Sequence, residues 1–170
     1  MKKILLTILI LFFIPMSFAA VLEAGISIDH VPKAIYGSWC VNAKLDSTNA
    51  PHTFRPQSID FWDLSRVGDT LRLNNPYTHA NAEVSVQTVE GNLVVFSKRL
   101  AYDNNKVLTD TVTLRLEDNK FSGINTLTLE YFSLIDNHLM KTETARYHIT
   151  GEKIAGDNVL KINHSAFNAE

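Results

Sequence analysis

Leu108 to Tyr131, LTDTVTLRLEDNKFSGINTLTLEY, is the stretch that decides the fold. Leu108, Val112, Leu114 and Leu116 fall on one parity, with Thr109, Thr111, Thr113 and Arg115 on the other. Beyond Asp118-Asn119 the alternation resumes, Phe121, Leu127, Leu129 and Tyr131 against Thr126, Thr128 and Glu130. A period of two sets one face of a strand against a core and the other toward water, and the Thr and Val content suits a pleated surface. Asp and Asn tolerate positive φ, so the pair between the runs reads as a tight turn joining two antiparallel strands. A two-residue turn fixes the register: Glu117 faces Lys120, Leu116 faces Phe121, Val112 faces Asn125 and Asp110 faces Leu127.

Outward from this hairpin the same grammar continues. Val84, Val86 and Thr88 alternate with Glu83, Ser85 and Gln87. Further strands are expected over Tyr36 to Lys44, Gln57 to Ser65, Asp69 to Asn74, Asn92 to Tyr102, Leu139 to Thr150 and Asn158 to His164. Glu90-Gly91-Asn92, Asp103-Asn104-Asn105 and Asp136-Asn137 supply turns, while Asn49 to Pro56 and Asn74 to Asn81 read as longer surface loops. No long segment carries a 3.6-residue apolar repeat. Short connections make neighbours antiparallel, so residues 82–150 form a meander. The expected fold is all-β, an up-and-down meander of about eight to nine strands. Closure into a barrel hides the strand edges most completely, and a β-sandwich is the alternative.

The chain has 170 residues, 45% of them hydrophobic and 20% charged, with one cysteine. It can bury one sizeable core, which excludes a disordered chain and a disulfide scaffold. A formal net charge of −2 leaves no basic footprint for nucleic acid. Met1-Lys2-Lys3, the apolar run Ile4 to Ile14 broken only by Thr7, then Pro15, Ser17 and Ala19 read as a secretory signal peptide over residues 1–19. Cleavage after Ala19 removes 19 of the 170 residues and two lysines, leaving a single domain over residues 20–170 with net charge −4. The apolar run is too short to anchor the chain in a membrane, and no cysteine stands at the cleavage region for a lipid. Export to the periplasm or secretion is therefore expected. Cys40 alone cannot close an intramolecular disulfide, and Asn163-His164-Ser165 matches a glycosylation sequon relevant only in a eukaryotic secretory route.

Gly37-Ser38-Trp39, preceded by Val31-Pro32-Lys33-Ala34-Ile35-Tyr36, resembles the G-x-W entry of the lipocalin and wider calycin families. The resemblance covers the layout of about residues 30–150. It implies an up-and-down barrel whose first strand opens at this motif, with the tryptophan packed across a closed end against an arginine of the last barrel strand. Arg146, in Thr144-Ala145-Arg146-Tyr147, is the position that matches that arginine. The Thr-Asp-Tyr motif and the amphipathic helix after the last strand, both usual in full lipocalins, have no counterpart here, so the expected relative is a looser lipocalin-like barrel.

Turn arithmetic bears on Arg146 independently. If Asp136-Asn137 is a two-residue turn, Asn125 faces His148, Leu127 faces Arg146 and Leu129 faces Thr144, and Arg146 and His148 turn inward. The apolar parity of Ala145, Tyr147 and Ile149 points the other way, and an odd-length loop or a bulge would reverse the assignment. The resemblance and the turn agree, so the inward register is the expectation.

Asp110, Asn125, Arg146 and His148 would then lie on the inner faces of three adjacent strands. Such groups either close into a hydrogen-bonded network beneath the barrel or line a cavity and orient a polar group on an apolar ligand. Trp39, Phe61, Phe96 and Tyr131 are the aromatic candidates for the interior or rim. Catalytic and metal signatures are absent: the six histidines show no H-x-x-x-H or H-x-H spacing, Cys40 sits inside a strand, and no glycine loop suits a phosphate. Gly123, within a strand, marks a bend or a close backbone approach. The sequence therefore points to an exported, non-catalytic binding protein for a small hydrophobic or amphipathic ligand. It points to no cofactor, nucleic acid or stable membrane anchor, and names no protein partner. The alternatives are an envelope interaction or inhibitor module acting through its loops, and an isomerase or cyclase of a lipid-like substrate using Asp110, Arg146 and His148.

Overall fold

The computed structural model describes residues 26–103 and 105–155. Residues 1–19, the strand expected over Asn158 to His164 and the Asn163 sequon lie outside the described residues. Two short 3-10 turns, Ile28–His30 and Lys33–Ile35, lead into eight strands. These are β1 (Gly37–Thr48), β2 (Gln57–Val67), β3 (Thr70–Asn74), β4 (Asn81–Glu90), β5 (Leu93–Asp103), β6 (Lys106–Glu117), β7 (Lys120–Phe132) and β8 (Leu139–Ala155). Each pairs antiparallel with the next, and β8 returns to β1, so the sheet closes on itself as a barrel rather than a sandwich. Closure pairs every strand on both sides and leaves no open edge.

The central hairpin has the expected register, with Glu117 opposite Lys120, Val112 opposite Asn125 and Asp110 opposite Leu127. Asp118 takes the positive φ, 51°, that the tight turn needs. The inner face then follows one parity per strand: Trp39 and Val41 on β1, Trp62 and Leu64 on β2, Val94 and Phe96 on β5, Val112 and Leu114 on β6, and Ala145, Tyr147 and Ile149 on β8, all buried. The outer face carries Thr109, Thr128 and Thr144 side by side across β6, β7 and β8.

The two ends of the barrel differ. At the end where β1 begins, Ile28, Val31 and Ile35 are buried and cover the opening, and Trp39 Nε1 donates to the Ile35 carbonyl at 2.8 Å. From Trp39 an aromatic series climbs the interior. Phe121 lies 5.1 Å from Trp39 and 5.9 Å from Trp62, and Trp62 lies 6.4 Å from Phe96, centroid to centroid. Such pairs add about 0.5–1.5 kcal/mol each beyond their burial. Gly151 makes room for this packing, since a Cβ there would stand 2.1 Å from the Phe121 ring, and Gly123 lets β7 approach β6, since a Cβ there would stand 2.1 Å from the Thr113 carbonyl oxygen. Gly123 is thus the close backbone approach that its position in a strand suggested. The side chains of this aromatic series pack the lower half of the barrel.

The register of the last hairpin departs from expectation. Asn125 faces Tyr147 and Leu127 faces Ala145, so Arg146 and His148 point outward, not inward. The connection is the six-residue loop Ser133 to His138, with Ser133 N donating to the His138 carbonyl at 2.9 Å and Phe132 facing Leu139. A six-residue loop keeps the parity of a two-residue one. The reversal comes from the bulge immediately above it, where Tyr131 pairs with Lys141 and Met140 is the extra residue. The alternation of Ala145, Tyr147 and Ile149 had the face right.

Candidate functional site

Above Phe96 the barrel is hollow. A cavity of about 470 Å³ opens toward the end that carries the loops 49–56 and 75–80. Its floor and walls are Trp62, Phe96, Val84, Val112, Leu73, Leu108, Leu127 and Tyr147, and Phe54 from the first loop reaches over it. Phe54 is buried although it belongs to a loop. The volume is within the range of pockets that enclose small organic molecules, about 300–1,000 Å³.

Polar groups enter this apolar space at two places. On the β5–β7 wall, Lys98 Nζ stands 3.5 Å from Asp110 Oδ2, and Asn125 Nδ2 donates to Asp110 Oδ1 at 2.5 Å and to the Thr111 carbonyl at 3.3 Å. All three side chains lie on inner-face positions beside apolar neighbours, and the Lys98–Asp110 pair is electrically neutral. On the opposite wall, Asp60 accepts from its neighbour Phe61 N at 2.9 Å, from Trp62 Nε1 at 3.0 Å and from Asn75 Nδ2. Asn75 is itself buried, and its Oδ1 accepts from Tyr77 N and Thr78 N at 2.9 and 3.0 Å, which shapes the loop at the mouth. Burial pushes the Tyr147 phenol above its ordinary range, and its OH donates to the Arg55 carbonyl at 3.0 Å.

A second cluster secures the loop over the mouth. Glu143, buried on β8, accepts from Lys141 Nζ at 2.5 Å, Thr53 Oγ1 at 2.9 Å and Tyr131 OH at 2.9 Å. The hydrogen bond from Lys141, then that from Thr53, holds the Glu143 carboxyl below the usual carboxylate range. The hydrogen bond that Tyr131 OH donates to Glu143 raises the Tyr131 phenol. Thr53 belongs to the β1–β2 loop, so Glu143 ties that loop to β7 and β8.

Of the residues singled out from sequence, Phe96, Asp110 and Asn125 line the cavity. Trp39 is inside but sealed beneath the aromatic series, with no exposed surface. Tyr131 stands at the mouth on Glu143. Phe61 faces outward and packs on Tyr77 of the rim loop, 4.7 Å between centroids. Arg146 and His148 leave the site altogether: both face Asp46 on the outside of β1, at 3.4 and 3.5 Å. The expected contact of Arg146 with Trp39 is made instead by Lys153, near the end of β8, whose Nζ lies 5.3 Å over the Trp39 ring.

Sequence reasoning missed Asp60, Lys98, Asn75 and Glu143 as groups of the site. Parity carried the signal for three of them, since Asp60 alternates with Trp62 and Leu64, Lys98 with Phe96 and Val94, and Glu143 with Ala145 and Tyr147. Asn75, in a loop, had no such signal. Among the described residues no group of three His, Cys, Asp or Glu side chains is arranged to hold a metal ion. Cys40 is unpaired and half-buried on the outer face of β1. No family model and no curated protein matches the chain.

Proposed function

We propose that this chain is an exported, lipocalin-like binding protein that holds a small hydrophobic or amphipathic molecule in the upper half of its barrel without changing it chemically. The observation that carries the reading is the cavity itself: apolar on most of its wall, closed below by Phe96 and Trp62, and open at the loop end. An eight-strand barrel is wide enough either to be filled by side chains or to hold one small ligand, and the cavity in the upper half leaves room for the second. The lipocalin likeness is supported by Gly37-Ser38-Trp39 at the start of β1, by the 3-10 turns across the closed end and by a cation from β8 over Trp39, with Lys153 standing where the family places arginine. Proton transfer by Asp110, Arg146 and His148 loses its basis, because the last two lie on the outer face.

Native mass spectrometry of the protein purified from its own host, followed by solvent extraction, tests this reading. A reproducible small molecule bound one to one is the expected result. An empty protein that shows no thermal shift across a lipid library would overturn it in favour of recognition through the loops.

A further inference from the structure

The charges of the cavity are unevenly matched. Its titratable lining groups besides Tyr147 are Arg55, Asp60, Lys98 and Asp110. Lys98 and Asp110 neutralise each other within the wall. Asp60 is surrounded by donors, but Phe61 N, Trp62 Nε1 and Asn75 Nδ2 are all neutral, and no cation pairs with its carboxylate among the described residues. Arg55 is the remaining cation, exposed on the loop at the mouth, where water screens its charge. Asp60 is half-buried in the apolar wall, where a unit charge acts through a lower effective dielectric and discriminates more strongly. The Trp62 side chain that bonds to this carboxylate also lines the cavity, adding an aromatic surface of the kind that attracts ammonium groups.

We propose that the ligand is a cationic amphiphile, an apolar body carrying one amine or quaternary ammonium group, with Asp60 as its counter-ion. This rests on the binding function proposed above and narrows it. The ammonium group supplies the charge that Asp60 lacks, and the hydrocarbon body takes the place of water against Phe96, Val84, Leu108 and Leu127. A carboxylate-headed ligand of the same length would set a second negative charge beside Asp60, in a wall whose lysine is already paired.

Isothermal titration of the full chain at neutral pH with dodecylammonium and dodecanoate, both below their micelle concentrations, and with dodecanol below its solubility limit, separates the possibilities. The expected order of affinity is ammonium, then alcohol, then carboxylate. Asp60→Asn is expected to lower ammonium affinity about tenfold, equivalent to about 1.4 kcal/mol, and to leave the alcohol nearly unchanged. Asp60→Glu keeps the charge and should keep the preference for ammonium, so a variant weakened only by disturbed packing is recognised as such. Dodecanoate binding most tightly, with the preference lost on Arg55→Gln, would overturn the proposal and place headgroup recognition at the mouth. Equal affinity for all three would overturn it while leaving the cavity reading intact. Failure of all three to bind would overturn the cavity reading itself.

Discussion

Lys153 Nζ lies 5.3 Å over the ring of Trp39 and donates to the Ala34 carbonyl at 3.1 Å, so one side chain of the last strand joins the first strand to the segment that closes the barrel. A partly exposed contact of a cation with an aromatic ring contributes about 0.5–1 kcal/mol. Lys153→Met should therefore lower stability by about that amount in urea unfolding. Arg146→Met, on the outer face, should stay within about 0.5 kcal/mol of the parent. The reverse ranking would return Arg146 to the role expected of it from sequence. Trp39→Ala, which empties the base of the core, should cost about 3–5 kcal/mol.

Gly151 and Phe121 divide one volume between them. A methyl at 151 would overlap the ring at 2.1 Å, so Gly151→Ala should destabilise by about 1–3 kcal/mol through overpacking. Phe121→Leu combined with Gly151→Ala should cost less than the two single changes added together, because the smaller side chain frees the space. Strict additivity in a double-mutant cycle would show that the two positions do not compete.

Glu143 makes the loop over the cavity sensitive to acid. Its carboxyl titrates below the ordinary value of 4.5, so its contribution to stability is fully present above that value. The contribution is lost as pH falls through the lowered folded value. Hydrogen exchange at Thr53 and Phe54 should accelerate in the parent on moving from neutral pH to below that range, after correction for intrinsic rates. Glu143→Gln should already exchange fast at neutral pH and show a much smaller acid effect. An identical pH response in the two proteins would contradict the link between Glu143 and the loop.

The outward register of β8 can be read chemically. In a Cys40→Ser background, Arg146→Cys and His148→Cys should react quickly with a bulky charged maleimide, and Ala145→Cys slowly, since Ala145 is buried on the inner face. Fast labelling at 145 with protection at 146 would restore the inward register.

That register shows where sequence reading succeeds and where it stops. In the β6–β7 hairpin, the local chemistry of Asp118-Asn119 and the apolar alternation on both strands specify the same pairing, so register, turn and inner face were all legible. In the β7–β8 hairpin the two signals disagree, and the structure follows the parity of Ala145, Tyr147 and Ile149 rather than that of the loop. A single bulged residue, Met140, has no composition signature, yet it exchanges every inner and outer position beyond it. Asp110 and Asn125 were legible as inward polar groups because their hairpin was. Lys98, their neighbour, shares the parity of Val94 and Phe96, but one lysine among apolar positions reads as an exception to that alternation. Asp60 and Glu143 stood in apolar alternation throughout. Charged residues in such positions read as exceptions until the hollow half of the barrel gives them somewhere to face.

The central claim is that this hollow half takes up an apolar molecule, and filling it tests that claim most directly. Leu127 lines the cavity above the aromatic series. Titration of an environment-sensitive apolar fluorophore into the parent protein should saturate at one molecule per chain. With Leu127→Trp the saturable signal should disappear, while the thermal unfolding midpoint stays the same or rises. Equal binding by the two proteins would place the fluorophore elsewhere and contradict the account.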